Sequence, residues 1–339
     1  MRVCVTGAGG FIAGYLIAEL LEHRYEVVGL DNLSKYGRVM RSFETSQSYR
    51  LVQGDAKDTE TLKQVLDGCD ILVAGAAKIG GISYFHRYAY DLLAENERIA
   101  AATFDAAIWA HKHSRLQKIV VISSSMVFES TSMFPTPEGA QLQSPPPRST
   151  YGFQKLACEY FAQGAFEQYG LPFTIVRPFN CVGIGEGRAE KAEVVLSGNV
   201  QLAMSHVLPD LVIKVLHGQR PLRIFGSGFQ VRHYTYGGDL ARGIRMSIES
   251  PAALNEDFNL STAVGCTVIE LARTVWDRLC PDSEFCYVSE PPYEHDVQRR
   301  IPDVSKAKRL LGFEATTTLD QVLDEVVPWL VTQVEQGAM

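Results

Sequence analysis

The stretch that decides the fold is Val3–Gly14, VCVTGAGGFIAG. The run from Val3 to Thr6 reads as a short buried strand. Gly7, Gly10 and Ala13 follow at G-x-x-G-x-x-A spacing, and the apolar run YLIAELL then continues as a helix. Glycines at such a turn let the backbone pass tightly, and let N–H groups at the helix N-terminus approach a pyrophosphate. A glycine pattern alone is weak evidence. This one follows a strand, opens a helix, and has a carboxylate, Asp31 in VVGLDN, at the end of the next strand. A carboxylate there accepts hydrogen bonds from a ribose diol and repels a 2′-phosphate, which favours NAD over NADP.

Working outward, short apolar runs alternate with helical patterns. RVCVTG, EVVGLD, RLVQGD, ILVAGAA, KIVVISSS and FTIVRPFN are the strand candidates, with YLIAELLEH and DTETLKQVLDG among the helices between them. Continuous apolar strands separated by amphipathic helices predict a Rossmann-type, doubly wound α/β fold, its parallel sheet covered on both faces. Helices over 94–112 and 151–169 are rich in alanine and aromatics, suited to pack on the sheet or against a second copy. After Pro178 the texture changes to the loop-rich CVGIGEGRAEKAE, the helical HVLPDLVIKVLHG, a Gly-rich turn before VRHYTYGGDLARGI, and a closing amphipathic helix, TLDQVLDEVVPWLVTQVEQ. The expected organisation is an NAD-binding domain over 1–178 with a returning segment near 229–262. A smaller α/β substrate-binding lobe takes most of 179–339, with a cleft between the two.

Composition excludes several classes. The 339 residues are 46% hydrophobic and 21% charged, an ordinary globular balance with ample material for a core. A net charge of −7 offers no basic face for a phosphate backbone, so nucleic acid is not an expected partner. The seven cysteines are scattered without a C-x-x-C pair, which suggests reduced thiols in a cytoplasmic protein and no metal site. Met1-Arg2 leads directly into the first strand, leaving no expected signal peptide, and no apolar run has membrane-spanning length.

The chemistry is read at the carboxyl edge of the sheet, where ligands bind in such folds. The fifth strand ends in VVISSSMVF, placing hydroxyls at that edge. The next helix carries Tyr151 and Lys155 in STYGFQK, one turn apart on one face. An ammonium beside a phenol stabilises phenolate in a partly desolvated cleft. A phenolate can take the proton of a sugar hydroxyl while hydride leaves for nicotinamide, with a serine hydroxyl bridging the same oxygen. Asp55, in QGDAKD at the third strand's end, is placed to meet an adenine amino group, and Ala76, Ala77 and Lys78 end the fourth strand beside the cofactor.

These motifs together, TGAGGFIAG, DNLS, GDAKD, SSSMVF, YGFQK, RPFNCVG, VRHYTYGGDLARG and IPDVSKAKRLLGF, resemble the extended short-chain dehydrogenase/reductases, the NAD-dependent nucleotide-sugar epimerase/dehydratase family. The resemblance covers nearly the whole chain. It implies that Ser124, Tyr151 and Lys155 are catalytic. It further implies that Asn180 touches the sugar-nucleotide phosphates, that Arg232 pairs with the diphosphate, and that the lobe beginning SHVLPDLV wraps the base. The cofactor set expected on this reading adds Phe11, Ile12, Asn32, Ala56, Asn96, Ser123 and Pro178 to the residues above. The substrate set adds Ser125, Met126, His206, Val207, Arg299 and Arg300, with Lys78 and Ser124 shared. Asp239 and Asp303 are read as structural braces of the C-terminal lobe. Homodimers through the two Ala-rich helices are usual in the family.

Departures from the family's patterns narrow the reaction. 4,6-Dehydratases carry Asp-Glu after the serine or threonine, where this chain has Ser125 and Met126, and a thioether transfers no proton at neutral pH. Decarboxylases place a glutamate at Met126, and fucose synthases and GDP-mannose 3,5-epimerases a cysteine. AAKIGGI at Ala76–Ile82 and SHVLPDL at Ser205–Leu211 resemble fucose synthase, whereas Asp31 argues against NADPH. The reading that survives is an NAD-dependent C4 epimerase of a nucleotide hexose, UDP being the family's commonest base. The alternatives are a 4-keto-sugar reductase or 3,5-epimerase/reductase, a dehydratase or decarboxylase, and a non-catalytic NAD-sensing regulator, a class that commonly loses the Tyr/Lys pair. In YEHDVQRR, Tyr293 stands where the family often has an arginine and Asp296 is kept, so Arg299 or Arg300 is expected to take the arginine's role.

Overall fold

In a computed structural model, the apolar runs form a seven-stranded parallel sheet. The structure describes residues 1–79, 88–186, 206–292 and 297–337, with the backbone of 193–195 and 198–200. The strands are β1 (Arg2–Thr6), β2 (Glu26–Asp31), β3 (Tyr49–Gln53), β4 (Ile71–Ala74), β5 (Lys118–Ile122), β6 (Phe173–Pro178) and β7 (Glu256–Leu260). Their spatial order is β7-β6-β5-β4-β1-β2-β3. The order reverses between β1 and β4, the crevice where such sheets bind ligands. The helices are α1 (Phe11–Glu22), α2 (Thr59–Leu66), α3 (Ala89–His113), α4 (Thr150–Tyr169), α5 (Val207–Leu216), α6 (Gly237–Glu249), α7 (Val268–Leu279), α8 (Ser305–Leu311) and α9 (Leu319–Glu335).

The strands are apolar throughout because both faces are covered. Val3, Val5, Ile71 and Val73 point into a core shared with Leu16, Ile17 and Leu20 of α1 and Leu240 and Ile244 of α6. The alternate residues Cys4, Val28, Leu72 and Ile119 point the other way, onto Leu62 and Leu66 of α2, Ala106 and Ala110 of α3, and Ala162 and Ala165 of α4. A separate core holds the C-terminal lobe, where Leu211 and Val212 of α5 meet Leu271 and Trp276 of α7 and Val326 and Leu330 of α9.

The seventh strand, EDFNL, is absent from the sequence-derived strand set, and its polar alternation explains why. Asp257 accepts from Arg177 Nη1 and Lys306 Nζ, both at 2.6 Å. Asn259 Nδ2 donates to the carbonyls of Thr136 (3.0 Å) and Asp303 (3.1 Å). Half of this strand serves ion pairs and loops rather than apolar core. The same segment brings α6 against α1 and β7 beside β6, so residues 237–260 complete the sheet layer although they lie beyond the chain's midpoint.

Candidate active site

A cavity of about 960 Å³ opens between the carboxyl edge of the sheet and the C-terminal lobe. At the glycine turn it is lined by Gly7, Gly10, Phe11, Ile12, Asp31 and Asn32. Gly7 has φ +75°, and a Cβ there would lie 2.9 Å from the Ala76 Cα, so only glycine lets β1 and the segment after β4 close together. Thr6 Oγ1 joins the same two segments by accepting from the N–H groups of Gly75 (3.2 Å) and Ala76 (3.1 Å). The Asp31 carboxylate is fixed by the N–H of Gly9 at 2.9 Å and of Leu33 at 2.7 Å. Each of its oxygens keeps acceptor capacity for a ribose hydroxyl. Asp55, Ala56, Ala76, Ala77 and Lys78 continue the wall. The glycine cradle, the open N-terminus of α1 and the acceptor at Asp31 suit a dinucleotide.

The candidate reacting corner is built where α4 packs on the turn after β5. Ser149 caps α4 by accepting from Gly152 N at 3.1 Å, and Glu129 Oε2 accepts from Ser149 N and Oγ, both at 2.9 Å. Gly152 lets the helix approach: a Cβ there would lie 2.7 Å from the Met126 carbonyl oxygen. Tyr151 and Lys155 thereby reach the cavity beside Ser123, Ser124, Ser125 and Met126. Lys155 is buried and its Nζ donates to the Ile122 carbonyl at 2.8 Å, which leaves an ammonium fixed one turn from Tyr151. Ser124 Oγ accepts from Met126 N at 3.2 Å, so its proton remains for a ligand oxygen.

Across the cavity, Pro178 and Asn180 follow β6. Asn180 adopts φ +37°, and its Oδ1 is buried without a hydrogen-bond partner among the described residues, an acceptor that a ligand donor would satisfy. Arg232 and Arg300 also line the wall. They are brought together because residues 299–300 run beside Val231, with Arg300 N donating to Val231 O at 3.3 Å. His206 and Val207, at the start of α5, complete this side, and His206 Nδ1 contacts the buried Glu186 carboxylate.

Two expected residues lie elsewhere. Asn96 is buried behind the wall, where it accepts from Lys78 N at 2.7 Å and donates to Lys78 O at 2.9 Å. It holds the lysine's backbone and does not line the cavity. Arg299 stacks its guanidinium 4.6 Å from the Phe134 ring centroid, outside the cavity, so Arg300 is the arginine that faces it. Tyr293, Asp296, Ser205 and residues 80–82 of AAKIGGI lie outside the described residues. Asp239 braces the lobe by accepting from Thr317 N at 2.9 Å, and Asp303 accepts from Ser305 N at 2.8 Å at the start of α8.

Sequence reasoning missed Thr6, Glu129 and Gly152. A glycine in a helix's first turn, next to Tyr151, was the available signal for the last. Among the described residues, no group of three His, Cys, Asp or Glu side chains is arranged to hold a metal ion, and no helix is long and apolar enough to cross a membrane.

The chain is 25% identical over 346 residues to the Bacillus subtilis protein named "Uncharacterized UDP-glucose epimerase YtcB", covering 97% of this chain and 98% of that one. It is 28% identical over 283 residues to the human dTDP-D-glucose 4,6-dehydratase, covering 80% and 72%. The solved UDP-glucose 4-epimerase of Thermotoga maritima, crystallised with UDP-glucose, superposes with a TM-score of 0.80 at 27% identity, covering 98% of this chain and all of that one. The family model for NAD dependent epimerase/dehydratases matches residues 3–261, through the glycine turn, the Tyr/Lys helix and β7. With the dinucleotide cradle and the Ser124, Tyr151 and Lys155 corner at one sheet edge, the chain belongs to the NAD-dependent epimerase/dehydratase family of nucleotide-sugar enzymes.

Proposed function

We propose that the protein is a nucleotide-sugar C4 epimerase acting on a UDP-hexose. The observation that carries this reading is the content of the reacting corner. Ser124, Tyr151 and Lys155 are present, while the positions after Ser124 hold a hydroxyl and a buried thioether, Ser125 and Met126, rather than an acid and a base. Bound NAD supplies a reversible hydride acceptor. Tyr151, with the Lys155 ammonium one turn away, takes the C4 hydroxyl proton and later returns it. Ser124 donates to the same oxygen and keeps it in line with Tyr151. Arg232, Arg300 and Asn180 hold the diphosphate while the 4-keto hexose turns over in the cavity. A dehydratase or decarboxylase would need a proton-transfer group where Met126 stands.

A second reading has one observation in its favour. His206 in contact with Glu186 is an acid–base pair on the cavity wall that C4 epimerisation does not use. It would serve a 3,5-epimerase/reductase of a 4-keto sugar. We further assign the working form as a homodimer through α3 and α4, whose outer faces expose Tyr90, Phe153 and Tyr160. Sedimentation at working concentration tests this, and a monomer would refute it. The functional test is to denature the purified protein, assay released NAD, and incubate native enzyme with UDP-, GDP-, CDP- and dTDP-hexoses without added cofactor. Released NAD and a C4 epimer from the UDP-hexose are expected. Turnover only with supplied NAD(P)H would favour the second reading.

A further inference from the structure

Tyr151 and Lys155 are followed on α4, at the same four-residue spacing, by Glu159, which is 1% exposed. Its carboxylate Oε1 accepts from Ser123 Oγ at 2.5 Å and from Arg177 Nε at 2.7 Å, and its Oε2 accepts from Arg177 Nη2 at 2.7 Å. Arg177 is wholly buried, lies 5.1 Å from the Phe128 ring centroid, and donates through Nη1 to Asp257. The fork of Arg177 therefore holds Glu159 in place from behind, with Asp257 and Lys306 behind it in turn.

The consequence falls on Ser123, which lines the cavity between Ile122 and the catalytic Ser124. A carboxylate only accepts, and a serine hydroxyl has one proton. That proton is committed to Glu159, so any contact the Ser123 hydroxyl makes with a ligand is made as an acceptor. Ser124 is set the other way, because it accepts from Met126 N and keeps its proton. Two adjacent serines at the sheet edge thus carry opposite hydrogen-bond polarity, one an acceptor and one a donor.

We propose that Glu159 is a positioning residue that fixes Ser123 as an acceptor for a donor group on the nicotinamide half of NAD, while Ser124 remains the donor to the sugar. That half offers two kinds of donor, the ribose hydroxyls and the carboxamide N–H. Discrimination at this point is by polarity: a cofactor analogue that lacks the donor leaves Ser123 unsatisfied.

The test reads cofactor binding rather than turnover. NAD is stripped from wild type, Ser123→Ala, Glu159→Gln and the double variant, and its affinity is measured by calorimetry alongside thermal unfolding. Ser123→Ala weakens NAD about five- to tenfold, on the order of one neutral hydrogen bond. Glu159→Gln, whose amide can donate to Ser123 and release the serine proton, weakens NAD at least as much. In the Ser123→Ala background, Glu159→Gln has no further effect on NAD affinity, although it lowers the melting temperature in both backgrounds. The analogue carrying 3-acetylpyridine in place of nicotinamide lacks the amide N–H. If the carboxamide is the donor, wild type binds this analogue more weakly than NAD and Ser123→Ala binds the two alike. If a ribose hydroxyl is the donor, Ser123→Ala weakens both ligands equally. Unchanged NAD affinity in Ser123→Ala overturns the proposal without needing Glu159→Gln to fold. So does a Glu159→Gln effect on NAD that persists undiminished in the Ser123→Ala background. Wild type that binds no NAD at all would instead refute the assignment of the cofactor.

Discussion

Replacing Gly152 by alanine asks whether close packing holds the reacting corner together. A Cβ at Gly152 would lie 2.7 Å from the Met126 carbonyl oxygen, 2.7 Å from Pro147 Cβ and 3.2 Å from Glu129 Oε2. Ordinary contact begins at 3.4 Å, so the shortfall is 3.4 − 2.7 = 0.7 Å. A backbone oxygen and a proline ring cannot rotate away, so the first turn of α4 must separate from the turn at 125–128. Tyr151 rides on the first and Ser124 borders the second, so the proposed base and its proposed hydroxyl partner move apart. A misplacement of about 1 Å costs roughly 100-fold in rate, which places the loss here at about 10- to 100-fold in kcat. That corresponds to roughly 1.4–2.7 kcal/mol of activation free energy. Helix propensity alone argues the opposite for stability, since glycine to alanine in a helix interior gains about 0.5–1 kcal/mol. Overpacking costs about 1–3 kcal/mol, so the melting temperature falls instead of rising. The assay is steady-state epimerisation, with bound NAD and thermal unfolding measured on the same sample. Gly152→Ala with wild-type kcat and a raised melting temperature would refute the packing argument.

Other perturbations act at separate points. Tyr151→Phe removes the proposed base and should abolish turnover while the purified protein still carries NAD; wild-type activity would sink the mechanism. Asp31→Ala removes the fixed acceptor at the tip of β2 and should narrow the preference for NAD over NADP, read as the ratio of dissociation constants; an unchanged ratio would show that Asp31 does not face the ribose. Lys118, at the start of β5, donates to the Ser247 and Ile248 carbonyls (2.8 and 3.3 Å) at the end of α6, and burial pushes its ammonium down to about 8 from 10.5. Between those values the unfolded chain holds more protons than the folded one, so this group makes stability rise with pH across that window. Compared with Lys118→Met, the wild type should therefore gain about 2 kcal/mol in urea unfolding between pH 7.5 and pH 10. A difference that stays flat would show that folding does not lower the pKa of Lys118.

What the sequence disclosed follows from which interactions are local. The glycine turn, Asp31 and the Tyr151/Lys155 spacing were legible because each is set within one strand–turn–helix unit. β7 was not, because Asp257 and Asn259 are polar for partners far away in sequence, Arg177 and Thr136. The cavity contains nearly every residue read as a ligand contact, yet motif position could not separate Arg299 from Arg300. Only the pairing of this segment beside Val231 turns one guanidinium to the cavity and leaves the other on Phe134. Asn96 shows the same limit. Its helix brings it close to the cofactor wall, but both ends of its amide are taken by the Lys78 backbone. Gly152 and Glu159 matter through contacts with β5 and its turn, which spacing along α4 alone does not reveal.

The central claim, hydride removal and return at C4 with Tyr151 as base, is tested most directly by proton NMR of UDP-glucose incubated with the enzyme in D2O without added cofactor. The account predicts the C4 epimer with protium retained at C4 and no deuterium at C3 or C5. Deuterium at C3 or C5, loss of water from the sugar, or no reaction until a reduced nicotinamide is supplied would contradict it.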